Sequence, residues 1–205
     1  MRYHVKTKRA FTLIELLTVI AIIGVLVALL FPAIKSALGK AEATKAQQGV
    51  SSLATAFKSY YTEYGHWPAT TTDPSGVIST TNWMVALLRG ENKSTFDPAM
   101  PNVTYNGNPR QIRFLEMKNA DLYIDPVNNV TNYVDPWKNQ YQVIFDTSYS
   151  DTNKNPFVPA PGAVVHEGFL IWSKGPDGQD STYANSGGNP AGDGVGVNKD
   201  NIKSW

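Results

Sequence analysis

The chain has 205 residues, 42% apolar and 17% charged, with 18 Lys+Arg against 17 Asp+Glu, three His and no Cys. A formal charge of +1 offers no cationic surplus to a polyanion, so nucleic acid is not an expected partner. The lack of cysteine removes disulfides, thiolate-ligated metal sites and any thiol nucleophile, and three histidines leave little for an imidazole cluster or a Ser/His/Asp relay, so an enzyme is not expected.

The first ten residues carry Arg2, Lys6, Lys8 and Arg9 and no acid. Phe11 to Ile34 then reads FTLIELLTVIAIIGVLVALLFPAI, with Glu15 as its one formal charge. At ~1.5 Å per residue that run reaches roughly 36 Å, enough for a ~30 Å hydrocarbon core. The basic flank keeps the N-terminus cytoplasmic and sends the remainder out. A secretory signal peptide fits less well, because the run exceeds the usual ~7–15 residues and no A-x-A site closes it. A plain signal anchor accounts for the run but not for Glu15, since an acid at the centre of a membrane helix costs ~2.5–3.5 kcal/mol and calls for a partner. No basic residue in the segment can serve. If the leader were cut after Ala10, the α-amine of Phe11, in cis or on a neighbouring copy, would supply the matching cation.

Lys8-Arg9-Ala10 followed by Phe11-Thr12-Leu13-Ile14-Glu15-Leu16-Leu17 resembles the leader and cleavage site of type IV pilins and of the pseudopilins of type II secretion. The resemblance implies that a prepilin peptidase cuts between Ala10 and Phe11 and methylates the new Phe11 amine. It implies further that Glu15 pairs with that amine on an adjacent subunit and sets register during assembly. Ala10 stands where the family usually has glycine. Pro32 removes a backbone donor, which predicts either a kink or local melting between Gly24 and Pro32 or the end of the membrane helix.

Beyond Pro32 the pattern turns amphipathic. Val50, Leu53, Ala54, Phe57, Tyr60, Tyr61 and Tyr64 recur at spacings of three and four, which predicts one core-facing stripe on a helix running from about Phe11 to Tyr64 and stopped by Gly65 and Pro68. Residues 69–81 read as a polar loop, and Asn82 as the cap of a short helix over Trp83 to Arg89. Residues 90–110 read as loop, with Phe114 to Met117 as a short extended piece. Strands are expected over Tyr141 to Asp146 and Gly168 to Ser173, with Ile124 or Tyr133-Val134 at an edge. Asp146 to Gly162 then forms a long hairpin tip; its Asp146 to Asn153 cluster lacks the central glycine and terminal glutamate of an EF-hand. His66 and His166 read as isolated core or surface residues.

Asp177, Asp180, Asp193 and Asp200 lie in a Gly-rich stretch able to present carboxylates and carbonyls, the hard oxygen ligands that calcium takes; the alternative is a solvated acidic loop. Three segments here resemble the major pseudopilin of type II secretion. Asp135-Pro136-Trp137-Lys138-Asn139-Gln140-Tyr141 is similar to DPWGxxY, Ser173-Lys174-Gly175-Pro176-Asp177-Gly178 to SxGPDG, and Asp200-Asn201-Ile202-Lys203-Ser204-Trp205 to a terminal DDIxxW. That resemblance implies a structural calcium ion held by Asp177, Asp200, Asn201 and Ser173 with main-chain carbonyls. Asn201 stands where a second aspartate is expected, and Asp180 or Asp193 is a candidate to restore the charge.

The expected organisation is a cleaved leader over 1–10, a transmembrane and filament-core helix over 11–34, an amphipathic half over 35–66, and a loop-rich β-domain over 67–205 ending in the calcium-type loop. The fold class is α+β, pilin-like: a long N-terminal helix on a small antiparallel sheet. The function implied is that of a pseudopilus subunit, anchored in the bacterial inner membrane with its C-terminal domain outside the cytoplasm, and periplasmic once assembled. Its implied partners are copies of itself in a filament, the prepilin peptidase, other pseudopilins, the inner-membrane secretion platform, and lipid before assembly. A type IV pilin for adhesion or motility is the alternative, with a membrane-anchored binding module as a further one.

Overall fold

The computed structural model describes residues 12–68, 76–91, 107–127, 130–158, 164–182 and 196–205. Helix α1 runs over Leu13–Tyr64. It passes through Pro32 without interruption, so neither local melting nor a helix end occurs there. The chain divides into two compact units, one up to Ala41 and the other Glu42–Trp205.

In the first unit the large apolar side chains of α1, among them Leu13, Ile20, Val25, Leu30 and Leu38, are exposed. α1 is long and apolar enough there to cross a membrane.

The second unit is built on a four-stranded antiparallel sheet in the order β1 (Ile78–Ser79), β4 (Gln142–Phe145), β7 (Phe169–Ser173), β8 (Ile202–Lys203). Two smaller pairs accompany it: β2 (Leu122–Ile124) with β3 (Thr131–Tyr133), and β5 (Asn153–Lys154) with β6 (Val164–Val165). The central strands are those whose apolar content predicts them. The edges β1 and β8 are two residues each and carry no alternation to find. β5 and β6 pair inside and beyond the segment read as a hairpin tip, and Phe114 to Met117 forms no strand.

The period-two alternation of β7 explains the core. Phe169 and Ile171 join Val143 and Phe145 of β4 against Val50, Leu53, Phe57 and Tyr60 of α1. Phe57 meets Phe145 edge-on, with ring centroids 4.9 Å apart. Trp172, on the other face, is fully buried beside Phe157 and Trp205. Tyr61 departs from the expected stripe: it is partly exposed and packs on Trp67.

Helix α2 (Asn82–Arg89) adds Met84, Leu87 and Leu88 to the same core. Its N-cap is Thr81, one residue before the expected Asn82, and no side chain caps it. Its C-terminus closes as a Schellman turn: Gly90 at φ 70° donates to Leu87 and Glu91 to Ala86. Buried Asn108 then ties three elements together. Its amide nitrogen donates to the carbonyls of Leu87 (2.8 Å) and Ile112 (2.7 Å), and its amide oxygen accepts from Tyr64 (2.6 Å).

Asp146 organises the turn after β4. Burial raises its carboxyl, but the hydroxyl of Ser148 and the amides of Thr152 and Ser148 outweigh this and hold it below the ordinary value of 3.8. A carboxyl depressed in the folded state contributes stability that is present above 3.8 and lost as pH falls through the lower folded value. Asp146→Ala is therefore expected to lower the melting temperature at neutral pH and to flatten the acid limb of its pH dependence, read by circular dichroism between pH 7 and pH 2.

Candidate functional site

Three segments distant in sequence meet at the end of β7. Asp135 is buried in the turn that precedes β4; its Oδ1 accepts from the amides of Trp137 (3.0 Å) and Asn139 (2.8 Å), and its Oδ2 from the Ser173 hydroxyl (2.7 Å). Burial pushes its carboxyl above the ordinary range against these three bonds. Asn139 in turn donates from its side chain to the carbonyl of Gly175 (2.9 Å). Gly175 has φ 70°, and a methyl group on it would lie 2.5 Å from the carbonyl oxygen and 2.9 Å from Oδ2 of Asp200. Glycine is what lets the tail lie against this loop.

The expected ligands have different surroundings. Ser173 is fully buried and committed, donating to Asp135 and accepting from the Gly175 amide (3.1 Å). Asp177 is exposed and caps its own turn by accepting from the Gln179 amide (2.9 Å). Asp180 is taken up by Trp172 Nε1 (3.0 Å) and by the Lys174 ammonium (3.5 Å). Asp200 and Asn201 each hold a buried Oδ1 that meets no donor. Among the described residues no three His, Cys, Asp or Glu side chains gather to hold a metal. Asp193 lies outside the described residues.

At the other end of the chain, α1 begins with a capping box. The Glu15 carboxylate accepts from the amide (2.9 Å) and hydroxyl (2.7 Å) of Thr12, while the Glu15 amide donates back to the Thr12 hydroxyl (3.3 Å). Glu15 is thus not partnerless within its own segment, as its lack of a nearby cation had implied. Ala10 and Phe11 lie outside the described residues.

Residues 5–31 match the family model described as a prokaryotic N-terminal methylation motif. A fimbrial protein of Neisseria meningitidis serogroup A is 37% identical over 75 residues, which are 37% of this chain and 44% of the relative. Fimbrial protein EcpC of Eikenella corrodens is 35% identical over 77 residues, 38% of this chain and 50% of the relative. A type IV major pilin protein PilE1 of Neisseria gonorrhoeae is 38% identical over 72 residues, 35% of this chain and 33% of the relative.

The chain is type IV pilin-like.

It spans half or less of the length of these relatives. No solved structure matches it. The pilin-like arrangement is visible directly, as a long N-terminal helix packed through its residues beyond Glu42 on an antiparallel sheet. Sequence reasoning missed Thr12 as the partner of Glu15, although the Thr-x-x-Glu spacing of a capping box stands at positions 12–15.

Proposed function

We propose that the chain is a structural subunit of a type IV pilus-like filament and not an enzyme. It is held in the inner membrane by the apolar part of α1 until a prepilin peptidase removes residues 1–10, and it then assembles helix against helix. The observation that carries this reading is an unbroken helix whose exposed apolar residues lie largely within the methylation motif. Apolar surface of that extent is stable only in lipid or against other apolar surface. Deleting the gene in its host and restoring it is the test. Sheared surface filaments that contain the chain, with a mass matching a methylated Phe11 terminus, support the reading; normal filaments in the deletion strain refute it.

A second reading, a type II secretion pseudopilus, is favoured by the meeting of the turn over 135–140, the loop over 173–178 and the tail from Asp200. Under it the deletion strain keeps surface filaments and loses protein release.

The same cluster supports a structural calcium ion. The donor-less oxygens of Asp200 and Asn201 are hard and buried, which suits calcium, whereas Asp180 is already engaged by Lys174. A bound ion would supply a cross-link between the tail and the loop at Gly175. Binding only the folded state at a hundred times its dissociation constant stabilises by about 2.7 kcal/mol. Calcium is thus expected to raise the melting temperature, and Asp200→Ala or a chelator to abolish the rise; a melting temperature indifferent to calcium would count against the site.

A further inference from the structure

Among the described residues of the second unit, the large apolar side chains left exposed are Tyr61, Tyr123, Ile124, Val127, Tyr149 and Val164. Single exposed apolar residues are ordinary, whereas neighbouring ones mark contact surfaces. Here all but Val164 fall into two groups.

Tyr123, Ile124 and Val127 form the first, on the β2–β3 hairpin. Ile124 is 59% and Val127 85% exposed. Asp125 braces this end of the hairpin: its Oδ1 accepts from the Val127 amide (2.8 Å), and its own amide donates to the Val130 carbonyl (2.8 Å). The aliphatic side chains therefore project from a fixed turn.

Tyr61 and Tyr149 form the second. Tyr61 packs 4.4 Å from Trp67, which stacks at 5.7 Å on buried Phe145, so the surface rests on the core. The ring of Tyr149 lies 6.4 Å from that of Tyr61 and is held there by the turn at Asp146, whose carbonyl accepts the Tyr149 amide (3.4 Å). Tyr149 has φ 54°, an unfavourable conformation for a bulky side chain, and strain of this kind is retained where the placement of the ring is used.

The two groups flank α1 on opposite sides. β2 begins directly after Asp121, whose carboxylate pairs with Lys45 of α1 (3.1 Å). From Lys45 to Tyr61 the helix advances about 24 Å and turns by a net angle of about 160°. One chain thus cannot close its own two surfaces on each other, but a second copy lying alongside can. Units that build an open polymer meet through unlike surfaces, each copy offering one and receiving the other. An aliphatic projection on one flank and an aromatic surface on the other match that requirement, whereas a foreign partner would need only one of them.

We propose that the β2–β3 hairpin of one copy docks through Ile124 and Val127 on the Tyr61–Tyr149 surface of the next. The proposal rests on the filament reading and deepens it: α1 supplies the attraction, and this contact fixes the angle at which neighbouring second units meet.

The chain has no cysteine, so introduced thiols report only on the positions that carry them. Full-length chains with Val127→Cys, with Tyr149→Cys and with both are compared in filaments sheared from cells that overproduce them, treated with a short bismaleimide and separated under denaturing conditions. The double variant is expected to give a ladder of dimers, trimers and longer products, because every copy uses both surfaces, and each single variant to stay monomeric. Adding Ile124→Lys should abolish the ladder and leave the melting temperature unchanged, since the position is exposed in the single chain. Filaments without a ladder, dimers from either single variant, or a ladder that survives Ile124→Lys would overturn the contact and leave the filament reading intact. Absence of filaments from the wild-type chain would overturn the filament reading and the contact with it.

Discussion

A chain carrying Glu15→Ala is expected to reach the membrane and to build no filaments. Glu15 satisfies two donors of Thr12 at the start of α1, and losing it removes one capping interaction of the first turn. That is too little to melt a helix whose length and apolar content extend far beyond its first turn. Membrane insertion, which depends on the apolar run, should therefore be unaffected. Assembly is different, because the proposed pairing sets Glu15 against the Phe11 amine of a neighbour in a dry filament interior, where removing one member of an ion pair leaves the other charge buried and unpaired and is strongly destabilising. Repeated at every subunit, that corresponds to a drop in filament yield of at least about a hundredfold. Glu15→Gln separates the two roles, since its amide oxygen can still accept from Thr12 while its charge is gone. Filament mass sheared from cells, set against chain in the membrane fraction, is the measurement. Failure of both variants supports the charge pairing, and wild-type assembly by the glutamine variant would reduce Glu15 to a helix cap.

Gly49→Ala should destabilise the second unit, although helix propensity alone predicts a gain of about 0.5–1 kcal/mol. A β-carbon at Gly49 would collide with the Tyr141 hydroxyl and lie 2.7 Å from its Cζ. Tyr141 cannot readily yield. Its ring is 2% exposed and stacks on Tyr133 at 5.4 Å, and its hydroxyl reaches the Ala46 carbonyl at 3.4 Å. Overpacking a filled site costs about 1–3 kcal/mol, so the clash outweighs the propensity gain and a net loss of about 1–2 kcal/mol is expected. Tyr141→Phe removes the closest atom but leaves the ring carbon, so the double variant should recover part of the loss. Urea unfolding of the two single variants and the double variant gives the coupling; strictly additive effects would show that the two residues do not meet.

Much of the fold is legible because its strongest signals are periodic. The stripe from Val50 to Tyr60 marks the core face of α1, and the apolar content of residues 142–145 and 169–173 marks the two central strands. The remainder depends on contacts that carry no local pattern. Ile78-Ser79 becomes a strand because β4 lies beside it, and Asn108 matters because Tyr64, Leu87 and Ile112 surround it. Nothing in the residues before Trp83 distinguishes Thr81 from Asn82 as the cap; the side chain of Asn82 instead accepts from the next amide, that of Trp83 (2.9 Å). At the C-terminal site the motifs identify which segments approach each other, but not that Lys174 takes Asp180 or that Lys138 adopts a glycine-like backbone. Those follow from the crossing of three loops, which spacing along the chain does not encode.

The four-stranded sheet bears on solubility under crowding. Its outer strands, β1 and β8, are two residues each, so a neighbouring molecule finds little unpaired backbone on which to add a strand. Lys203 places a charge on one of those margins. Domains packed side by side along a polymer experience very high local concentrations, and long bare margins there would invite runaway cross-pairing. Brief margins, one of them marked by Lys203, would in the proposed filament leave self-association to the N-terminal helix.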